Sequence, residues 1–221
     1  MAASSGTSVG TMGYCFQMIT QTDRDRLKAL LKELSVQRGD FVLASGLHSR
    51  VYIDAKLTTC QAAAMPLIGR AFLSKIEEHR WHPAAVGGLV IGSDPIVMAI
   101  AHESVRFRFQ VDAFLVRKEP KKHGLKKFIE GISATGGLDV VIIDDVCSTG
   151  GSTALAIERS RESGLNVLGA VCLVDREMGA KHSIENSLGC PFDSVFTLSE
   201  LLNDHESCDP VAIDIVGARR F

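Results

Sequence analysis

Residues 140–153 read VVIIDDVCSTGGST, and no other stretch narrows the fold as far. Four β-branched apolar residues in a row, continuous rather than alternating, describe a strand covered on both faces, as in a parallel sheet between helices. Two adjacent carboxylates follow. The turn STGGST then leads into a helix predicted over residues 152–163, with Gly164 as its left-handed stop. Ligands of open parallel sheets lie beyond the carboxyl ends of the strands. A helix N-terminus there offers free backbone N–H groups and partial positive charge, an anion site. Gly150 and Gly151 let the backbone come close to a phosphate, and Thr149, Ser152 and Thr153 add hydroxyl donors. Carboxylates beside a phosphate would repel it, so Asp144 and Asp145 must face something else. An ionised Asp only accepts hydrogen bonds, which suits the vicinal hydroxyls of a ribose. The combination predicts a 5′-phosphorylated ribose, phosphate in the turn and diol on the acids. The bland alternative is a strand-to-helix turn whose acids merely cap backbone.

The rest of the chain fits an α/β architecture. Strands are predicted at 84–90, 111–116, 138–143, 167–174 and near 194–197. Helices are expected from about 22, with Thr22 as N-cap and Leu27, Leu30, Leu31 and Leu34 as a core stripe. Others are expected over 58–79, with Pro66 in the first turn of the helix proper, over 95–107 and over 199–203. Residues 40–54 suggest two short strands around Ser45-Gly46. Residues 118–131 are a loop by composition. Strands alternating with helices imply a central, mostly parallel sheet flanked by helices. Besides Asp144 and Asp145, the turn Ile91-Gly-Ser-Asp94 and Asp175-Arg176 fall at strand ends, so several ends converge on one crevice.

Composition removes competing classes. The net charge of −2 over 221 residues gives no global case for nucleic acid or anionic membrane. No apolar run approaches the ~18 residues of a membrane span. Residues 1–20 lack the pattern of a signal peptide and are expected to form a disordered tail, leaving 21–221 as one domain. Cys15, Cys60, Cys147, Cys172, Cys190 and Cys208 form no C-x-x-C pair, and free thiols in a reducing cytoplasm are expected. His48, His79, His82, His102, His182 and His205 show no triad or metal spacing.

VVIIDDVCSTGGST resembles the phosphoribosyl pyrophosphate (PRPP) motif of type I phosphoribosyltransferases. Three further segments resemble the orotate phosphoribosyltransferase family: FVLASGLHSRVYID (41–54) its N-terminal hood, VRKEPKKHGLKKFIEG (116–131) its mobile loop, and VDREMG (174–179) its D-R-x-x-G. The resemblance runs from about residue 22 to 203, in the family's order, with the hood at about 21–60. It implies a type I phosphoribosyltransferase fold and transfer from PRPP to orotate with Mg²⁺ held mainly by the substrate. It also implies a homodimer with shared active sites. PRPP would then meet Arg117, Lys118, Lys121, Lys122, His123, Asp144, Asp145, Val146, Cys147, Ser148, Thr149, Gly150, Gly151 and Ser152. Lys121, His123, Asp144 and Asp145 would carry catalysis, the first two in the partner's site. Orotate would meet Ser45, Gly46, Tyr52, Thr149 and Arg176.

Each segment also makes chemical sense alone. Pyrophosphate leaves with several negative charges, and a flexible basic loop can close over it and stabilise them. Arg176 can pair bidentately with a carboxylate, or with Asp175 or Glu177. Tyr52 either meets the base or packs in the core. Ala44 stands where the family has a Lys, and Asp94 brings an acid to the turn that resembles the pyrophosphate loop. These departures keep three alternatives in play: transfer to another nucleobase, a non-catalytic PRPP-binding regulator, and an ordinary structural domain.

Overall fold

The computed structural model describes residues 19–42, 48–107, 110–120, 127–133 and 136–203. Helix α1 (Gln21–Leu30) is capped by Thr20, whose hydroxyl accepts from the Asp23 N–H at 3.1 Å. The cap is therefore Thr20 and not Thr22. Ile19 donates its N–H to Ser74 Oγ, which seats the chain so that Thr20 is extended and Thr22 already helical. Leu27 and Leu31 are fully buried, while Leu30 and Leu34 are half-buried at the edge of the stripe. After one wider turn, Leu31–Ser35, the chain enters an antiparallel hairpin of β1 (Val36–Val42) and β2 (His48–Ile53). Asp54 N–H returns to Ser35 O, closing the base of this hood.

Next come α2 (Lys56–Thr59), α3 (Met65–Glu78, Pro66 in its first turn), β3 (Ala85–Leu89) and α4 (Asp94–Arg106). They are followed by β4 (Asp112–Val116), β5 (Ile129–Glu130), β6 (Asp139–Cys147), α5 (Gly151–Glu162) and β7 (Asn166–Asp175). The described chain closes with α6 (Ala180–Leu188), β8 (Phe192–Thr197) and α7 (Leu198–Leu202), the last started by a Thr197/Glu200 capping box. Six strands form one sheet in the order β5-β4-β3-β6-β7-β8, and only β5 runs antiparallel to its neighbour.

The uninterrupted apolar run of β6 now has its cause. Val141 and Ile143 face the core shared with α1, α3 and α4, and Val140 and Ile142 face the one shared with α5 and α6. Three elements differ from the sequence expectation. The short β5 lies within the stretch read as loop, where Phe128 O accepts from Arg117 N–H and draws the chain onto the β4 edge. β6 does not end at Ile143 but continues through both acids to Cys147, because β7 pairs with it out to Asp175. Helix α6 was not expected: its KHSIENSL segment is rich in poor helix formers. It forms because Gly179 and Gly189, both left-handed, bracket a stripe whose Ala180 and Ile184 are buried against the sheet.

Candidate active site

From β3 the chain goes out to β4 on one side of the sheet and returns to β6 on the other, which makes the β3–β6 boundary the topological switch point. Two segments meet beyond it. After β3, the turn Val90–Ser93, with a cis Val90–Ile91 peptide, leads into α4. After Ile143, β6 carries the acids. The contact is so close that a Cβ on Gly92 would lie 2.6 Å from Asp145 Oδ1, so any side chain there must displace that carboxylate.

The two acids turn out unlike. Asp144 is 5 % exposed and packed beneath α5. Its Oδ2 accepts from Thr153 Oγ1 at 2.6 Å and its Oδ1 from the Asp145 N–H at 3.0 Å. Burial drives its pKa up to about 7; the Thr153 hydrogen bond pulls the other way and the charge of Asp145 adds to the rise. Asp145 is half-buried. Its Oδ1 accepts from Val146 N–H at 2.8 Å, and Lys56 Nζ lies 3.8 Å from Oδ2 and 3.0 Å from Asp54 Oδ1. Lys56 escaped the sequence reading. Its signal is a basic residue just after the hood's Tyr-Ile-Asp, where the chain turns back toward the sheet.

The turn itself matches its expected geometry only in part. Gly150 takes φ +90°, which a side chain would strain, and backs onto Ile184 of α6. Gly151 faces open space, and Thr149, Gly151 and Ser152 are exposed, with Ser148 half-buried. No side chain caps α5, so its first N–H groups remain for an anion. Thr153 is no phosphate donor, because its hydroxyl is 1 % exposed and committed to Asp144. Cys147, 2 % exposed, turns its thiol inward to Thr153 Oγ1 and not to the crevice. The N–H of Val146 is spent on Asp145 and its side chain packs against the core. Cys147 therefore offers a ligand no side-chain contact, while Val146 stays half-buried at the strand end.

Arg117 and Lys118, at the end of β4, line a cleft of about 490 Å³ with Val90 and Ile91. Arg117 also lies 3.7 Å from Glu130. The acid of the neighbouring turn, Asp94, is half-buried, and burial raises its pKa. At the end of β7, Arg176 donates to Val51 O of the hood at 3.1 Å. Glu177 is held by Ser199. Tyr52, 40 % exposed, is not a core residue and lies against Phe41 on the hood surface. Lys121, Lys122, His123, Ser45 and Gly46 lie outside the described residues.

No family model matches the chain. Individual proteins do. The orotate phosphoribosyltransferase of Aquifex aeolicus is 42% identical over 183 residues, 81% of this chain and 98% of that protein. That of Synechocystis is 39% identical over 178 residues, 80% of this chain and 88% of that protein. Crystal structures of the Mycobacterium tuberculosis orotate phosphoribosyltransferase superpose with a TM-score of 0.72 at 36% identity in the Fe(III) dicitrate complex, covering 82% of this chain and 99% of that one. The complex with PRPP superposes at 0.68 and 35% identity, covering 81% and 98%. With the switch-point crevice, the acidic pair and the uncapped helix already in place, this similarity over four-fifths of its length makes the chain a member of the orotate phosphoribosyltransferase family.

Proposed function

We propose that the chain transfers the 5-phosphoribosyl group of PRPP to N1 of orotate, giving orotidine 5′-monophosphate and pyrophosphate in pyrimidine nucleotide synthesis. A bond forms from N1 to the anomeric carbon as the bond from that carbon to the pyrophosphate oxygen breaks. The observation that carries this reading is the apposition of Gly92 and Asp145 at the switch point, beside an uncapped helix start. The 5′-phosphate takes the free N–H groups and hydroxyls of residues 148–152. The acids accept the ribose hydroxyls and favour positive charge developing on the sugar. Arg117 and Lys118 flank the departing pyrophosphate, with Lys121, Lys122 and His123 closing over it, the loop coming from the partner of a homodimer. Arg176, Tyr52, Ser45 and Gly46 receive orotate.

Among the described residues no three metal-ligating side chains converge. Mg²⁺ held mainly by the substrate would neutralise leaving-group charge. Among the same residues no helix is long and apolar enough to cross a membrane, and Cys60, Cys147, Cys172 and Cys190 are free thiols, which agrees with a cytoplasmic enzyme.

Pyrophosphate release from PRPP and Mg²⁺ with a panel of bases tests the reading. Orotate alone should turn over; turnover only with another base would replace the acceptor, and PRPP binding without release would make the chain a regulator. Gly92→Ala supplies a finer check. The added methyl must push Asp145 aside, a strain of about 1–3 kcal/mol, so KM for PRPP should rise several-fold while KM for orotate changes little.

A further inference from the structure

Behind the acidic pair lies a buried chain of hydrogen bonds that the reaction as described does not use. Thr153 Oγ1 has one proton, and at 2.6 Å it goes to Asp144 Oδ2. The Cys147 thiol, 3.2 Å from the same oxygen, is then the donor to Thr153. All three groups are at least nine-tenths buried. We propose that Thr153 is a positioning residue for PRPP: its hydroxyl, fed by the Cys147 thiol, aims the Asp144 carboxylate at the ribose and keeps it an acceptor. This rests on the PRPP reading above and names a residue that acts through Asp144 rather than on substrate.

The geometry supports it in two ways. An ionised carboxylate has about four acceptor positions. Thr153 and the Asp145 N–H each fill one, on different oxygens, which fixes the plane of the group and leaves an acceptor position on each. Second, burial favours the protonated acid, and a protonated Asp144 would present a donor where the ribose hydroxyls need an acceptor. Among the described residues, the titratable groups facing Asp144 are Asp145 on its own strand, Cys147, and Cys172 directly opposite on β7. None is cationic; Lys56 reaches Asp145 instead. The hydroxyl from α5 and the adjacent N–H are left to favour the ionised form.

Two reciprocal substitutions separate positioning from packing. Thr153→Val keeps the shape and removes the hydroxyl; Thr153→Ser does the reverse. The Asp144 carboxyl is followed by ¹³C NMR in the ligand-free protein, and kcat/KM for PRPP is followed against pH. With valine, the NMR midpoint and the acid limb should both move to higher pH. At neutral pH kcat/KM for PRPP should fall about tenfold or more, as for loss of a hydrogen bond to a charged group, with kcat at saturating PRPP changing less. Serine should restore both. A native profile with valine and a poor one with serine would overturn the proposal, as would a fall in rate with an unmoved acid limb. Thr153→Ala reads the same quantities should the valine protein not fold. Wild-type protein that turns over no PRPP would sink the functional reading, while the NMR midpoint would still judge the link from Thr153 to Asp144.

Discussion

Asp144→Asn is expected to give a protein that is more stable at alkaline pH and markedly less active. The folded chain raises this carboxyl from 3.8 to about 7, chiefly by burial. An acid that binds its proton more tightly when folded weakens the fold as pH rises from its unfolded pKa through its folded one, and the full penalty is present above the latter. Asn cannot ionise and escapes that penalty. Between pH 5 and pH 8 the stability advantage of the variant should therefore grow by ~2–3 kcal/mol, at about 1.4 kcal/mol per pKa unit over the titrating range. Urea midpoints at the two pH values measure it; a constant difference would mean that Asp144 does not titrate in this window. Catalysis should move the other way. Asn presents one acceptor oxygen and no charge to the ribose and to the developing cation. A fall in kcat/KM for PRPP of about 10- to 100-fold matches loss of a charge-assisted hydrogen bond. A wild-type enzyme whose activity rises with pH through about 7 would report the same group from the other side. The carboxyl would then be a place where stability is given up for function.

Lys121→Ala should lower kcat by on the order of 10²-fold or more while leaving KM for orotate nearly unchanged. The effect is one of timing. A lysine that meets the pyrophosphate only as negative charge accumulates on it contributes to the transition state and not to binding of the base, so the loss falls on turnover. Arg117 and Lys118 line the cleft at the end of β4, and in the proposed reading they still bind the ground state. Steady-state kinetics with both substrates varied checks this, and an unchanged kcat would remove Lys121 from the chemistry. The dimer can be probed with the same variant. If the loop serves the partner's site, mixing Lys121→Ala with Asp144→Asn protein should recover about a quarter of native activity, since half the dimers are mixed and each of those holds one intact site. No recovery would return Lys121 to the site of its own subunit.

How far the sequence could lead is clearest within β6. The run Val140–Ile143 betrays a strand buried on both faces, and the two cores confirm it. Pro66, Gly164 and the Ile91–Asp94 turn were legible because each has a local cause in proline geometry, left-handed backbone or a strand end. The difference between Asp144 and Asp145 was not legible. They are neighbours in sequence, and only the roof of α5 over one and the glycine backbone and Lys56 beside the other make a fully buried acid and a partly exposed one. For the same reason Thr153 looked like a phosphate donor: its spacing from the turn is right, but the helix points it inward. Lys56 depends on the hood folding back over the sheet, and α6 on tertiary burial that overrides weak propensity. Arg176 is a like case: it donates to a carbonyl 125 residues away in sequence, a contact that only the folded hood creates.

Gly150 rests on Ile184, so the turn that opens α5 is buttressed by a helix that carries none of the proposed site residues. If that turn holds the phosphate as proposed, affinity for a sugar phosphate is tunable from the back of the molecule, through the size of one aliphatic side chain, without altering any group assigned to the ligand. Drift in such outlying positions gives an enzyme of this build a route to adjust how tightly it holds its donor while its reactive surface stays fixed.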